Sequence, residues 1–560
     1  MDSKKQNIPA LTGLRFVAAL SVAIAHAALL IFPFEGQQAA SIKNWVATSA
    51  GFGMTLFFVL SGFVIHYNYR NMIANGGTQG FFYFMWMRFA RLYPLFILFL
   101  GVDVVLGNCI YFLFLGNDEL FRNSLAAIPY YLTFSQSWTY QIIGKNSLIY
   151  QIGDNIPVTW SISTEWLFYL LYPLICFVIT KIQRFVNLLI VIVCLIISWS
   201  LFAGSLFDHA LQLDAWAEYW FGPYSSVIDN GWQDSFVRWL LCFSPYIRIG
   251  EFILGCLTAQ LYLTLSECKP SKFENLTASI VLAASIISIP ILVYVMYKPI
   301  LSSNSLYEQF FAPDEVASIS FIVKLSLNFG LAPSVALIIF YSARYETVIS
   351  QILSTRIFML GGEASYSIYL IHIILLMALK RMSQNVVAIS TTSLLFFAIR
   401  FIVAITIIVL ISIGLSTVYE MPTRRLLRRL IPTERHTKVL IIPSVVILTI
   451  VVIIVLFPPL KPLKVYARDP SSSIQILSAT YGASCGAPLG NATTHIQQAC
   501  WRQETCNYTI DVRRLGDPAA GCNKSFSVEY QCPNSKEPLR IDIPGEAGLG
   551  TSIYLSCKPD

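Results

Sequence analysis

Charged residues are scarce in this chain of 560 residues. Asp, Glu, Lys and Arg together make up only 12% of it, against about a quarter of an average soluble domain. Histidine occurs just six times, whereas 56% of the residues are hydrophobic and 14% are aromatic. This composition excludes a water-soluble globular enzyme, a disordered chain and a fibrous repeat. It indicates a polytopic membrane protein that is embedded in the lipid bilayer. We expect no nucleic-acid partner.

Long apolar runs recur through the first 457 residues or so. A helix that crosses a bilayer needs about 20 apolar residues, and eleven runs meet this length. They lie at about residues 9–32, 50–69, 91–115, 160–181, 185–205, 244–265, 277–297, 321–342, 364–382, 395–418 and 438–457. The shorter run within residues 125–150 predicts a re-entrant or interfacial segment, because a crossing there would invert every later loop.

The formal net charge of +7 is distributed by position along the chain. Basic residues concentrate in alternate loops, and acidic residues in the loops between them. The positive-inside rule then predicts a cytoplasmic N-terminus. The densest inside cluster lies near the end of the apolar region and comprises Arg424, Arg425, Arg428, Arg429, Arg435 and Lys438. Eleven crossings would place the C-terminal region outside the cytoplasm.

The last hundred residues differ in character from the rest. A proline-rich stretch at about 458–470 predicts a stiff linker. Residues 471–560 contain short alternating segments bounded by turn residues, which predict a small antiparallel β domain. The fold class is therefore an all-α membrane bundle of about eleven helices, followed by a small all-β domain. Residues 1–430 form the main membrane domain with ten helices, and 431–457 add one more.

Six of the twelve cysteines lie in this β domain. An even number in a small domain predicts three disulfides, with 15 pairings open, and requires an oxidising compartment. A zinc site is the weaker alternative, since the domain has no Cys-x-x-Cys and only one histidine, His495. We predict no metal site. The six cysteines are Cys485, Cys500, Cys506, Cys522, Cys532 and Cys557.

Two ionisable residues interrupt the first apolar run, Arg15 and His26. A charge inside a membrane is costly unless it is paired or faces water, so it is a functional candidate by default. Eleven residues separate the two, which places them on one helix face, roughly 16 Å apart along the axis. The alternative is an arginine that reaches the interface and a histidine satisfied in the core.

Arg88 and Arg91 are three residues apart and form one cationic edge at the start of the third apolar run. Paired guanidinium groups suit a ligand that carries phosphate. Ordinary positive-inside anchoring would explain them equally well.

Two further polar positions lie in apolar helices. Glu165 opens the fourth run, and its carboxylate could hold His26 in one tautomer and raise its basicity. A carboxylate solvated at the interface is the alternative. Ser365, Tyr369 and His372 occur at i, i+4 and i+7, so they form one stripe of a helix. Such a stripe either joins helices or lines a cavity.

Taken together, six strings in order resemble the membrane acyltransferase-3 family over about residues 8–430. They are Leu14-Arg15 through His26, Phe57 to Phe63, Arg88-x-x-Arg91 before Tyr93-Pro94, Trp160 to Glu165 before Phe168-Tyr169, Ser365 to His372, and Tyr419 to Pro422. The resemblance implies transfer of an acyl group, often acetyl, from cytoplasmic acyl-CoA to a sugar of an extracytoplasmic or lipid-linked glycan. It implies an integral protein of a bacterial inner membrane, with acyl-CoA as cosubstrate and no permanently bound cofactor.

The same resemblance suggests roles for the residues above. Arg88 and Arg91 would hold the donor phosphates, with Arg15 continuing the cationic path. His26 would be the general base and Glu165 its support. Residues expected to line the cavity or contact the acceptor are Ser61, Trp160, Ser163, Ser365, Tyr369 and His372.

The C-terminal domain resembles the galactose/rhamnose-binding lectin family through Ala479 to Gly482, and through Asp517-Pro518 followed by Gly521, Lys524, Phe526, Val528, Tyr530 and Cys532. The resemblance implies that Tyr481, Asp517 and Lys524 touch sugar. The alternative is a disulfide-stabilised spacer or a protein-docking module.

A transporter or membrane receptor with a lectin-like outer module remains the competing interpretation of the whole chain. Intramembrane His, Arg and Glu would serve it as well. Transporters often contain an internal repeat, and we find none between the two halves of the apolar region.

Overall fold

The computed structural model describes the residues in the following ranges: 8–31, 49–104, 118–152, 157–227, 234–266, 270–302, 329–386, 394–430, 474–500, 505–515, 517–519, 521–532, 535, 537–545 and 547–557. The chain divides into two compact units, Met1–Val455 and Leu456–Asp560.

The described part of the first unit is a helical bundle with one small β-hairpin. Its helices are α1 Pro9–Ile31, α2 Ser49–Val102, α3 Asp118–Leu132, α4 Trp160–Ile179, α5 Phe185–Asp208, α6 Ala210–Phe221, α7 Pro245–Leu265, α8 Lys272–Ser302, α9 Ala332–Arg344, α10 Val348–Leu353, α11 Arg356–Glu363, α12 Ser365–Val386, α13 Leu394–Leu415 and α14 Met421–Arg429. The hairpin strands are β1 Ile142–Ile143 and β2 Asn146–Ser147.

Seven helices in the described ranges are long and apolar enough to cross a membrane. The number becomes eight if α11 and α12, bent by 69°, form one broken span. The sequence-based count of about eleven is therefore not confirmed within the described residues, where α2 is counted once. The predicted run at 438–457 and the beginning of the run at 321–342 lie outside the described residues.

Helix α2 accounts for two of the predicted runs, because it folds back on itself. Gly77 has φ 52° and ψ −140°, which ends regular helix geometry. The side chain of Arg88 donates a hydrogen bond to the Tyr69 hydroxyl. These residues would be roughly 28 Å apart in a straight helix. The helix is thus a hairpin of two antiparallel arms, one on each side of Gly77.

Glycine and alanine allow the helices around α1 and α2 to approach closely. A Cβ added at Gly255 of α7 would lie 1.9 Å from the Val59 carbonyl oxygen of α2. One added at Gly62 would lie 2.1 Å from the Phe252 carbonyl oxygen. Small residues at such crossings let backbones pack directly in membranes.

The segment after α3 packs into the bundle. Its Phe134 is buried and lies against Phe96 and Trp166, with ring centroids 4.7 and 5.3 Å apart. Ser137 donates a backbone hydrogen bond to Ser163 of α4 at 3.1 Å. Helix α3 is not among the candidate spans of the described residues, so residues 125–150 enter the bundle as a short helix, turns and a hairpin.

Within its described residues, the second unit has five strands in two antiparallel sheets: β3 Gln475–Tyr481, β4 Thr505–Asp511, β5 Phe526–Gln531, β6 Leu539–Ile543 and β7 Leu549–Ser556. One sheet has the order β3-β5-β6 and the other pairs β4 with β7. Three disulfides are present, as predicted: Cys485–Cys522, Cys500–Cys506 and Cys532–Cys557. All six cysteines of this unit are therefore oxidised. None of them is a thiolate that could bind zinc, as the alternative interpretation required.

Candidate active site

Two histidines from different helices meet inside the bundle. His26 of α1 and His372 of α12 have Nδ1 and Nε2 atoms 2.8 Å apart. Their rings are nearly parallel, at 14°, with centroids 5.1 Å apart. Small buried residues of α1, Ala19, Ala23 and Ala27, pack with α12 and let the two helices come this close.

The hydrogen bonds define which nitrogen carries each proton. His372 Nδ1 lies 3.1 Å from the carbonyl oxygen of Ile368, which can only accept, so Nδ1 must be protonated. In a neutral ring Nε2 then accepts, and it accepts from His26 Nδ1–H. In a neutral His26 the lone pair of the ring is then on Nε2. The arrangement therefore makes His372 the group that holds the tautomer of His26.

Glu165 does not support His26 as expected from the sequence. Its carboxylate accepts a hydrogen bond from the Ser61 hydroxyl at 2.5 Å. It lines a cavity of about 60 Å³ together with Arg15, Arg88 and Arg91. Glu165 therefore lies in a cavity wall with three arginines, and the group next to His26 Nδ1 is His372 instead.

Arg88 is held among aromatic rings. Its guanidinium carbon lies 4.6 Å from the centroid of Tyr69, 5.8 Å from Phe84 and 5.9 Å from Tyr169. Cation–π attraction and the hydrogen bond to Tyr69 fix this buried group in one orientation. A fixed guanidinium loses little entropy when it binds an anion.

The predicted polar stripe of α12 separates into two parts. Ser365 and Tyr369 line the small cavity, whereas His372 lies beyond it. The Tyr369 ring centroid is 6.1 Å from that of His372 and 5.6 Å from that of Phe57. Tyr369 thus lies between the cavity and His372, and Phe57 packs against it in the cavity wall.

A second, larger cavity of about 360 Å³ shares Arg15, Arg88 and Arg91 with the first. Its wall also contains three arginines of α14, namely Arg424, Arg425 and Arg428. From the sequence, these three arginines are explained by membrane topology alone. The spacing of Arg424 and Arg428, four residues apart on one helix face, was the available signal.

Two residues predicted for the cavity have structural contacts instead. Ser163 donates to the carbonyl oxygen of Phe134 at 2.7 Å and accepts from Ser137, so it joins α4 to the segment after α3. The Trp160 ring packs against Phe58 and Phe243. Neither residue lines the two cavities, whereas Ser61 lines the smaller one.

The predicted sugar contacts of the β domain are mostly buried. Tyr481 is 3% exposed, and a Cβ at Gly548 would lie 1.9 Å from its hydroxyl. Lys524 is also buried, and its ammonium group pairs with Asp517 at 2.9 Å. This ion pair holds the pKa of the exposed Asp517 carboxyl below its usual value. Burial argues against sugar contact by Tyr481 and leaves Asp517 as the accessible member.

Comparison with known proteins relates this site to a family. Residues 8–413 match a family described as "Acyltransferase domain", the acyltransferase-3 family. Acyltransferase MdmB of Streptomyces mycarofaciens is 28% identical over 273 residues, which cover 47% of this chain and 60% of that protein. Protein 2 in picA locus of Rhizobium radiobacter is 39% identical over 115 residues, covering 20% and 53%. No solved structure matches.

The chain thus spans 53–60% of the length of these relatives. The family match, by contrast, covers well over half of the chain and includes the histidine pair and the central arginines. This chain belongs to the acyltransferase-3 family.

Proposed function

We propose that this protein moves an acyl group, acetyl in the first instance, from cytoplasmic acyl-CoA to a hydroxyl of an extracytoplasmic or lipid-linked glycan. The observation that carries the proposal is the His26–His372 pair, set one aromatic ring away from a cavity lined by Arg15, Arg88 and Arg91. The relative named as an acyltransferase supports the reaction class.

The arginines would hold the donor. Acyl-CoA carries its negative charge on phosphates, and its thioester lies at the opposite end of the molecule. Guanidinium groups bind phosphate through paired, charge-assisted hydrogen bonds. Arg88 is already fixed by Tyr69, so it would act as the anchor of the diphosphate, with Arg91 and Arg15 beside it.

The histidines would supply the base. His26 Nε2 takes the proton of the glycan hydroxyl as its oxygen attacks the thioester carbonyl carbon. The new C–O bond forms, the C–S bond breaks, and the sulfur leaves as a thiolate. The imidazolium then returns its proton to that thiolate, which gives free CoA and a neutral His26. His372 would hold the tautomer throughout.

Tyr369, with Phe57 packed against it, lies between the cavity and the histidine pair. A productive complex therefore requires one of these rings to turn aside, so that the thioester reaches Nε2. With the N-terminus in the cytoplasm, the arginines lie toward the donor side and the histidines toward the acceptor side. The outer β domain would then bind or position the glycan, with Asp517 the exposed candidate for sugar contact.

Mass spectrometry of surface and lipid-linked glycans tests the proposal in a host that depends on this chain. His26→Ala should abolish the acyl groups that wild type adds. His209→Ala is the matched control, because His209 lies at the exposed junction of α5 and α6, far along the chain from the site. Normal acylation by His26→Ala at equal protein level would refute the base assignment. Unchanged glycans of every class on deletion of the gene would favour a transporter or receptor.

A further inference from the structure

Hydrogen bonds attach helix α14, and the turn before it, to α2 and α12. The Trp86 indole N–H donates to the carbonyl oxygen of Leu427 at 3.0 Å. Just before α14, the chain makes a π-helical turn at Ser416–Glu420. This turn brings Glu420 to the Ser367 hydroxyl at 2.6 Å and the Tyr419 hydroxyl to the Pro94 carbonyl oxygen at 3.2 Å. The position of α14 is therefore defined by side-chain contacts on both flanks.

This position gives the larger cavity a strong excess of positive charge. Six arginines line it, three from α14 and three from the central group, against two carboxylates, Glu363 and Glu420. The Nε atoms of Arg424 and Arg428 are buried and have no hydrogen-bond partner among the described residues. A buried guanidinium N–H without a hydrogen-bond partner is costly. An anion in the cavity would remove this cost.

The linings of the two cavities show the spatial order of the arginines relative to Glu165. Arg15, Arg88 and Arg91 line both cavities, Glu165 lines only the smaller, and Arg424 and Arg428 line only the larger. The α14 arginines are thus on the far side of the central group from Glu165 and the histidines. CoA has a matching order: the thioester end, then the diphosphate, then a 3′-phosphate on the ribose.

We infer that Arg424 and Arg428 bind the ribose 3′-phosphate of the CoA-type donor, as a second phosphate subsite beside the central arginines. The inference rests on the proposed function, since it takes acyl-CoA as the donor. Phosphate is also the headgroup chemistry of anionic lipids, so the experiment must separate these two sources.

The test measures CoA and 3′-dephospho-CoA binding by calorimetry to the full-length protein in phosphatidylcholine nanodiscs. Wild type should bind CoA at least roughly tenfold more tightly than 3′-dephospho-CoA, as expected for loss of charge-assisted hydrogen bonds. In Arg424→Gln/Arg428→Gln both ligands should bind alike, with the affinity of wild type for 3′-dephospho-CoA. Arg429→Gln is the matched control, because Arg429 belongs to the same helix but does not line the cavity.

The outcomes separate a failure of the 3′-phosphate subsite from a failure of the proposed function. A double variant that keeps the preference for CoA overturns the inference and leaves the proposed function standing. Wild type that binds neither ligand overturns both. A preference for CoA that disappears from wild type when phosphatidylglycerol is included in the nanodiscs would assign the α14 arginines to lipid headgroups and overturn the inference.

Discussion

His26 Nδ1 lies 2.8 Å from His372 Nε2, across the interface of α1 and α12. A histidine in a catalytic pair usually has a carboxylate behind it. Here a second imidazole takes that place, itself held by the Ile368 carbonyl oxygen at 3.1 Å. The pair can therefore orient a base without placing a charged partner next to it.

Replacing His372 should lower turnover without weakening donor binding. His372→Leu removes the acceptor for His26 Nδ1–H, so we expect kcat to fall roughly 100-fold or more. His372→Gln places an amide oxygen near the position of Nε2 and should recover most of the loss. The KM for acyl-CoA should stay unchanged in both, because His372 does not line the arginine cavities. A Leu variant as active as wild type, or one altered only in KM, would contradict this role.

The crossing of α2 and α7 should not tolerate a methyl group. Gly255→Ala brings a Cβ to 1.9 Å from the Val59 carbonyl oxygen. Since the obstacle is backbone, the helices must separate, and overpacking of this kind costs about 1–3 kcal/mol. The thermal unfolding midpoint in detergent should fall. Gly414→Ala in α13 is the control, with nothing within 4 Å of its added Cβ; equal midpoints for the two variants would disprove the packing argument.

Asp234 should make stability depend on pH. Its carboxylate accepts from the Ser147 N–H at 2.7 Å, and burial raises its pKa from 3.8 to about 6. The folded state thus holds the proton more tightly than the unfolded state. The resulting stabilisation is complete below about pH 3.8 and is lost as the pH rises through about 6, an effect on the order of 2–3 kcal/mol.

Asp234→Asn keeps the acceptor for the Ser147 N–H and removes the buried charge. Its unfolding midpoint should therefore decline less than that of wild type between pH 4 and about 7. Glu346→Gln, which changes an exposed carboxylate, should follow the wild-type curve. Parallel curves for wild type and Asp234→Asn would mean that Asp234 is not the titrating group.

The three disulfides should rank by the length of chain that they close. Their sequence separations are 37, 25 and 6 for Cys485–Cys522, Cys532–Cys557 and Cys500–Cys506. Chain entropy then assigns them about 4, 3.5 and 2 kcal/mol. Pairwise Ser variants of the full-length protein, compared by pulse proteolysis of the β domain in urea, should lose stability in that order. Cys194→Ser, at an exposed free thiol, should change nothing; the reverse ranking would exclude the entropic account.

Local sequence patterns predicted which residues lie at the site better than they predicted which residues contact each other. Arg15 and His26 stood out because charge is rare in an apolar helix, and the structure places both in or beside the site. The partner of His26 could not be predicted, since it lies 346 positions away and helix periodicity does not encode which helices meet. Glu165 was the reasonable choice by chemistry, but Ser61 is its neighbour in space.

The helix count of about eleven is not confirmed, and the place of the α14 arginines in a cavity wall was not predicted, for different reasons. The runs at 50–69 and 91–115 correspond to the two arms of α2, which stay helical on both sides of Gly77, and parts of other predicted runs lie outside the described residues. Arg424 and Arg428 fit the positive-inside rule, so topology already explained them. Only their shared cavity wall with Arg88 and Arg91 gives a second reason for their presence.

The attachment of α14 to α2 has a consequence during synthesis of the protein. Trp86 and Leu427 are 341 positions apart, and a ribosome delivers the chain from its N-terminus. The hairpin with Arg88 and Arg91 therefore enters the membrane long before the helix that completes the cavity. A nascent or truncated chain that ends before α14 carries half of the arginine wall, and it acquires the full anion site only when the rest of the bundle is in place.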